Sequence, residues 1–326
     1  MILVGDIGAS KTLLAVGELQ DGRWRAQFER RYSDGDYADF LSLLKDFLQG
    51  YAATGSSLPG IDKACFGVAG PVIAGRARLT NRGWDIDPRS LSHKCGIPSP
   101  HLINDLAAAA HGLSSLTADD FMSLQPGEPV TDRCCAVLGI GTGFGAAYRV
   151  RAGNGYAVVA GEAGHAAFAP QTAEQQALWQ SLHQHKGRVE IEDVVSGLGL
   201  VNIYQHVRGK AGDGSARHAP LPEDAAAIAQ ASRDGDESAR RAIALFIDCC
   251  AAVAGDQALS LLPRGGLYLT GGIPRRLLLE EHAARFMEVF NDKGGHAPLT
   301  RQVPVHVVTS DALNLLGCAQ LAAAEY

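Results

Sequence analysis

The stretch Gly5-Asp6-Ile7-Gly8-Ala9-Ser10-Lys11-Thr12, GDIGASKT, lies near the start of the chain, and its reading decides the fold. It comes one residue from a Walker A loop, which needs Gly, four residues, Gly, Lys and then Ser or Thr. Ser10 stands where the second Gly belongs. A P-loop also needs a helix to begin at once, adding its positive end to the converging backbone N–H groups. Here LLAVGELQDG (13–22) follows, a strand and a hairpin turn without helical periodicity. The stretch therefore reads as a β-hairpin. Two roles stay open for its tip. One is a phosphate clamp, with Asp6 facing a metal ion, Gly8 permitting close approach, and Ser10, Lys11 and Thr12 adding donors. The other is an ordinary turn in which Asp and Gly do turn work.

The same unit recurs. Gly139 to Gly145, GIGTGFG, sits between the apolar runs 134–138 and 146–150. It has no Lys and opens no helix, so neither a Walker A loop nor the dinucleotide fingerprint fits. Two strand–glycine turn–strand units suggest two clamps closing on one nucleotide. A third glycine turn, Thr270-Gly271-Gly272-Ile273, precedes a helix and is placed to receive the adenosine.

Around these turns the chain alternates strands and helices. Strands are expected at 1–4, 12–18, 23–32, 63–68, 76–80, 101–103, 134–138, 146–150, 156–159, 267–269 and 303–308. Helices are expected at 37–51, after Asn104-Asp105, at 173–186, 191–208, 222–233 and 236–262, and from Asp311 onward, where Asp311 is read as a cap. Residues 209–215, GKAGDGS, read as a mobile surface loop. The fold class is α/β, in two related halves with a mixed sheet each.

The 326 residues suit two domains. The formal charge is −6 with no block of like charges, which argues against nucleic acid as a partner. No apolar run reads as a membrane span. The N-terminus MILVGDIGA lacks a basic leader region and reads as a first strand, with no DNA-binding extension before it. The seven cysteines include no CxxC, and the adjacent pairs Cys134-Cys135 and Cys249-Cys250 lie in apolar runs. They read as buried thiols of a reduced cytoplasmic protein rather than metal ligands or disulfides.

GDIGASKT, TNRGW (80–84), LINDLAAAA (102–110), GIGTGFGAAY (139–148), GEAGH (161–165), EDVVSGLGLVNIY (192–204) and LTGGIPRR (269–276) occur in one order over nearly the whole chain. In that order they resemble the bacterial glucokinases, within the actin-like, hexokinase-type ATPase superfamily. The resemblance implies two ribonuclease-H-like domains with a cleft between them, divided as 1–105 plus 311–326 and 106–310. It implies transfer of a phosphoryl group from ATP to the 6-hydroxyl of glucose with Mg²⁺, at the entry to glycolysis. A cytoplasmic homodimer without nucleic-acid or membrane partners is expected.

The resemblance also assigns residues. Asp105 would be the general base, although Asp before a helix is commonly just a cap. Asn104, Asn81, Glu162, His165 and Glu192 would bind the sugar along with Asp105. Carboxylates suit that task because each accepts two hydroxyl hydrogens. Taken without the family, Glu162 and His165 fit a polar surface loop equally well, and Glu192 a first helical turn. Trp84 is read equally as sugar-cleft lining and as core. His183 and His185 read as surface residues. Asp6, Gly8, Ala9, Ser10, Lys11, Thr12, Gly141, Thr142, Gly143, Gly271 and Gly272 would hold ATP, with Asp6 meeting Mg²⁺ through water. No CxCG cluster follows GEAGH, which sets the chain apart from the repressor-type sugar kinases. Ala9, Ser10 and Lys11 depart from the family's usual Gly, Thr and Asn. The rival readings are a kinase of another hexose (fructose, mannose or an N-acetyl sugar) and a non-catalytic sugar sensor.

Overall fold

Strand β1 (Ile2–Ile7) turns through Gly8 into β2 (Lys11–Gln20) and continues into β3 (Arg23–Ser33). The Gly8 N–H donates to the Lys11 carbonyl at 2.9 Å, closing the hairpin. No helix follows, so the Walker A reading fails for the reason the sequence suggested. The computed structural model describes residues 1–8, 11–33, 35–55, 60–79, 82–131, 133–210, 224–278 and 282–324. Ala9, Ser10, Asn81 and the 211–215 part of the expected loop lie outside the described residues.

The next helix, α1 (Phe40–Ala53), begins three residues later than its periodicity predicts because Asp39 caps it. The Asp39 carboxylate accepts from the Ser42 N–H at 2.7 Å. One face of α1, Phe40, Leu43, Leu44, Phe47, Leu48 and Tyr51, is buried. Each such side chain contributes roughly 1.5–3 kcal/mol by leaving water. Then come β4 (Lys63–Val68), β5 (Val72–Ile73), β6 (Arg76–Leu79), β7 (Trp84–Ile86), α2 (Pro88–Cys95), β8 (His101–Asn104) and α3 (Asp105–Gly112). Trp84 is buried against Phe40, so of its two readings the core one holds.

The second half holds β9 (Phe121–Gln125), β10 (Cys135–Ile140), β11 (Phe144–Ala152), β12 (Gly155–Gly161), α4 (Ala173–Lys186), α5 (Gly197–Lys210), α6 (Ala225–Arg233) and α7 (Glu237–Leu261). It ends with β13 (Leu267–Thr270), α8 (Gly272–Leu277), α9 (Ala283–Asn291), α10 (Ala297–Arg301), β14 (Val305–Val308) and α11 (Leu313–Ala323). The expected helix 191–208 is shortened at its start. The Ser196 hydroxyl accepts from the Gly199 N–H at 2.9 Å and donates to the Glu192 carbonyl at 2.7 Å, so α5 begins only at Gly197. Glu192 is thereby freed from the first helical turn. Contrary to the sequence reading, α7 is long and apolar enough to cross a membrane by length and composition; 72% of its apolar window is instead buried in the second core. All seven cysteines are free thiols.

Beside a small β5-β6-β7 sheet, the two large sheets share one plan. The first runs β3-β2-β1-β4-β8, the second β12-β11-β10-β13-β14-β9. In each, an antiparallel three-strand meander is extended by two parallel strands, β4 and β8 or β13 and β14. Ligands of such sheets bind beyond the carboxyl ends of the parallel strands. Those ends are Ile7, next to Asp6, with Val68 and Asn104 on one side, and Ile140, Thr270 and Val308 on the other.

Helices α3 and α11 lie between the sheets. Helix α11 packs on β1, β4 and α3, as the sequence suggests for the last helix, while α3 also contacts β10, β11 and β12. Their crossing depends on Gly317, where a Cβ would fall 1.7 Å from the Ala108 carbonyl oxygen. No side-chain motion relieves a clash with backbone. Gly317→Ala is expected to destabilise the protein by about 3 kcal/mol, read as a lowered urea midpoint at unchanged slope.

Candidate active site

Asp6 is the penultimate residue of β1, and Asp105 opens α3 directly after β8. The register β1–β4–β8 sets Asp6 beside Gly67, and a Cβ on Gly67 would come within 3.7 Å of the Asp105 Cα. The two carboxyls thus share one sheet edge. The cap of α3 is Asn104, not Asp105: its Oδ1 accepts from the N–H groups of Leu106 (3.0 Å) and Ala107 (3.1 Å), and its Nδ2 donates to the Gly70 carbonyl at 3.3 Å. Asp105 is therefore released from the structural role that competed with catalysis. Burial, reinforced by the charges of Asp6 and then Glu162, pushes its pKa up to about 7; the Leu106 N–H, bonded at 2.9 Å, opposes this.

Leu106 fixes where Asp105 sits relative to the second hairpin. Gly139 and Gly145 pair across β10 and β11, and a Cβ on either would meet the Leu106 side chain, at 2.7 and 2.4 Å. Two of the four alternating glycines thus make room for the residue after Asp105 rather than for phosphate. The other two form the turn, with the Gly141 N–H donating to the Gly143 carbonyl at 3.0 Å. Glu192 is held there, its carboxylate accepting from the Phe144 N–H at 2.8 Å.

A cleft of about 720 Å³ opens between the hairpins. Asp6 and Lys11 line it from one side, Gly141, Thr142, Gly271 and Gly272 from the other. Gly271 adopts φ +107°, and a Cβ there would strike the Ile140 carbonyl at 2.3 Å, so this turn requires glycine. Gly8 does not line the cleft; its N–H bond to the Lys11 carbonyl closes the first turn. Thr12 is not brought to the cleft. It is fully buried, and its hydroxyl accepts from Arg82 Nη1 at 3.1 Å. The Arg82 guanidinium also lies 4.5 Å over the Trp84 ring, tying the 82–84 segment to the start of β2.

Asp6 is only partly compensated. Asn314 Nδ2 donates to it at 3.0 Å, yet burial and nearby Asp311 raise its pKa. A carboxylate in that state favours a cation. Asp311 does not cap α11, whose first turn has no side-chain cap. It pairs instead with Arg275 and, at 3.4 Å, with Arg31, placing one arginine from each half on the cleft wall. These residues lie up to 280 positions apart in sequence, and no local pattern marks them.

Glu162 and His165 frame a short 3-10 turn (Ala163–His165) beside β11. Both side chains are exposed to solvent. Glu162 lies near enough to Asp105 to raise its pKa, and Glu190, Glu192 and Glu162 together raise that of His165. Glu190 was not anticipated from sequence. Its carboxylate accepts from His165 Nδ1 at 2.8 Å. His183 and His185 lie exposed on α4, remote from these contacts, with His183 stacked on Trp179 at 4.5 Å.

Two duplicated mixed sheets facing across a cleft, with carboxylates at one lip and glycine turns at the other, define an actin-like ATPase fold of the sugar-kinase kind. The crystal structure of a ROK family glucokinase from Streptomyces griseus, in complex with glucose and AMPPNP, shares this fold at a TM-score of 0.65 and 20% identity, covering 98% of each chain. The crystal structure of a glucokinase from an Antarctic psychrotroph matches at a TM-score of 0.81 and 30% identity, also covering 98% of each. A glucokinase of Nostoc sp. is 37% identical over 99% of both chains. The glucokinase family model matches residues 3–325, and the chain belongs to that family.

Proposed function

We propose that the protein phosphorylates D-glucose at its 6-hydroxyl, using Mg²⁺-ATP and releasing glucose 6-phosphate and ADP. The observation that carries this reading is Asp105: a carboxyl at the start of α3, beside Asp6 and near Glu162, with its pKa raised to about 7. Such a group takes up a proton readily at neutral pH, as a general base must. Asp105 accepts the proton of the sugar hydroxyl as that oxygen attacks phosphorus. Glu162, His165 and Glu192 orient the sugar, and Asn104 fixes the start of α3 beneath it. Lys11, the 141–143 turn and Gly271-Gly272 hold the nucleotide, with Arg31 and Arg275 placed to offset phosphate charge.

The site also fits a metal. Among the described residues no cluster of three or more His, Cys, Asp and Glu forms a cage. Asp6, a partly compensated carboxylate beside the phosphate turns, suits Mg²⁺ held mainly by nucleotide and water. That ion would neutralise charge on the phosphates. The chain is read as two lobes, 1–105 with 311–326 and 106–310, closing over the substrates to exclude water. A cytoplasmic homodimer is part of the same reading.

A panel of hexoses with coupled ADP detection tests the assignment. Glucose is expected to give the highest kcat/KM. A higher value for fructose, mannose or an N-acetyl sugar would replace glucose as the substrate, and ADP release with none of them would leave a sensor.

A further inference from the structure

We infer that His165 serves the sugar site as an imidazolium, and that Glu190, which holds its Nδ1, is a positioning residue for the hexose. This rests on His165 being a sugar ligand, as proposed above.

The sugar ligands are unbalanced in donors and acceptors. A sugar hydroxyl both donates and accepts, whereas ionised Asp105, Glu162 and Glu192 only accept. Asn104 has its oxygen on the α3 cap and one of its two amide hydrogens on Gly70, so it can offer a ligand one donor at most. Among the described residues of the set, the other side chain that can donate is His165. With Nδ1 engaged by Glu190 at 2.8 Å, Nε2 is the nitrogen left to address a ligand. A protonated ring donates through both nitrogens, giving a hydroxyl oxygen the hydrogen that the carboxylates cannot supply.

Glu190 is built to hold that ring. Its second oxygen accepts from Arg188 Nε at 3.2 Å, and its own N–H donates to the Asp193 carboxylate at 2.9 Å. Its backbone bridges to Ala167, and Arg188 Nη2 donates to the His165 carbonyl at 2.9 Å. The charged groups around His165 are Glu190, Glu192, Glu162 and Arg188, with Asp193 already paired to Lys186. The three glutamates favour the charged ring, and the bond to Glu190 has the largest effect. The pair is solvent-exposed, 56% and 29% at the two side chains. It therefore adds little to folding, and its consequence falls on the protonation of His165.

The test is the pH dependence of glucose KM and kcat for the full chain, compared with Glu190→Gln, Glu190→Asp and His165→Ala. Wild type is expected to hold a constant KM through neutral pH and to lose about 3- to 10-fold in apparent affinity once the imidazolium deprotonates. In Glu190→Gln, which keeps an acceptor without the charge, that loss should begin at a lower pH than in wild type. Its kcat should change less than about twofold, with thermal stability unchanged, and Glu190→Asp should restore part of the wild-type profile. Superimposable KM profiles for wild type and Glu190→Gln would overturn the inference. If His165→Ala still raised KM in that case, the sugar site would stand without it. An unchanged KM in His165→Ala would overturn both.

Discussion

Replacing Asp105 by Asn is expected to lower kcat by about 10²–10⁴-fold, the usual contribution of a positioned base, with glucose binding largely kept. The amide preserves shape and the Asn104 cap that starts α3, so the loss would be chemical rather than structural. The same substitution should stabilise the unliganded protein. The folded-state pKa of Asp105, about 7, lies above the ordinary 3.8. Below about pH 4 the carboxyl is protonated in both folded and unfolded chains and costs nothing. Between about pH 4 and 7 the unfolded chain ionises first, so the folded state loses stability, and the penalty is complete above pH 7. Solvent at this half-buried site screens part of it, leaving on the order of 2 kcal/mol. Thermal denaturation at pH 8 should show Asp105→Asn above wild type, and at pH 4 the two should coincide. For activity the sign reverses: kcat/KM of wild type should fall as pH drops below about 7, where the base becomes protonated.

Gly143→Ala should damage both substrate sites at once. A Cβ on Gly143 would lie 2.4 Å from Glu192 Oε2. The carboxylate would have to leave, breaking its bond to the Phe144 N–H and loosening the second turn. Loss of a charge-assisted hydrogen bond of this kind costs about 1.5–3 kcal/mol, or roughly 10- to 100-fold in affinity. Glucose KM should rise by that factor, with a smaller rise in KM for ATP. Steady-state kinetics against both substrates, with circular dichroism to confirm the fold, measure this. An unchanged glucose KM would remove Glu192 from the sugar site.

Much of the fold was legible because short-range patterns decide it. The span Lys63–Val68 and the helix Ala173–Lys186 match their periodicity residue for residue, and both hairpins follow from the missing helix after each glycine turn. Readings failed where distant residues intervene. The 191–196 segment carries helical spacing, but Ser196 starts the helix later and Glu192 is drawn to Phe144 instead. Thr12 looks like a cleft hydroxyl until Arg82, 70 positions away, is seen to occupy it. Asp311 has the profile of a cap, yet its partners are Arg31 and Arg275. The site is legible as motifs, and its geometry as contacts between halves that no motif spans.

The most direct test is incubation of the protein with Mg²⁺-ATP and glucose, following ADP and identifying the phosphorylated carbon by NMR. The predicted result is one ADP per sugar phosphomonoester, all of it on the 6-position, with Asp105→Asn reducing both together. ADP released at the same rate without sugar, or wild-type turnover in Asp105→Asn, would contradict it.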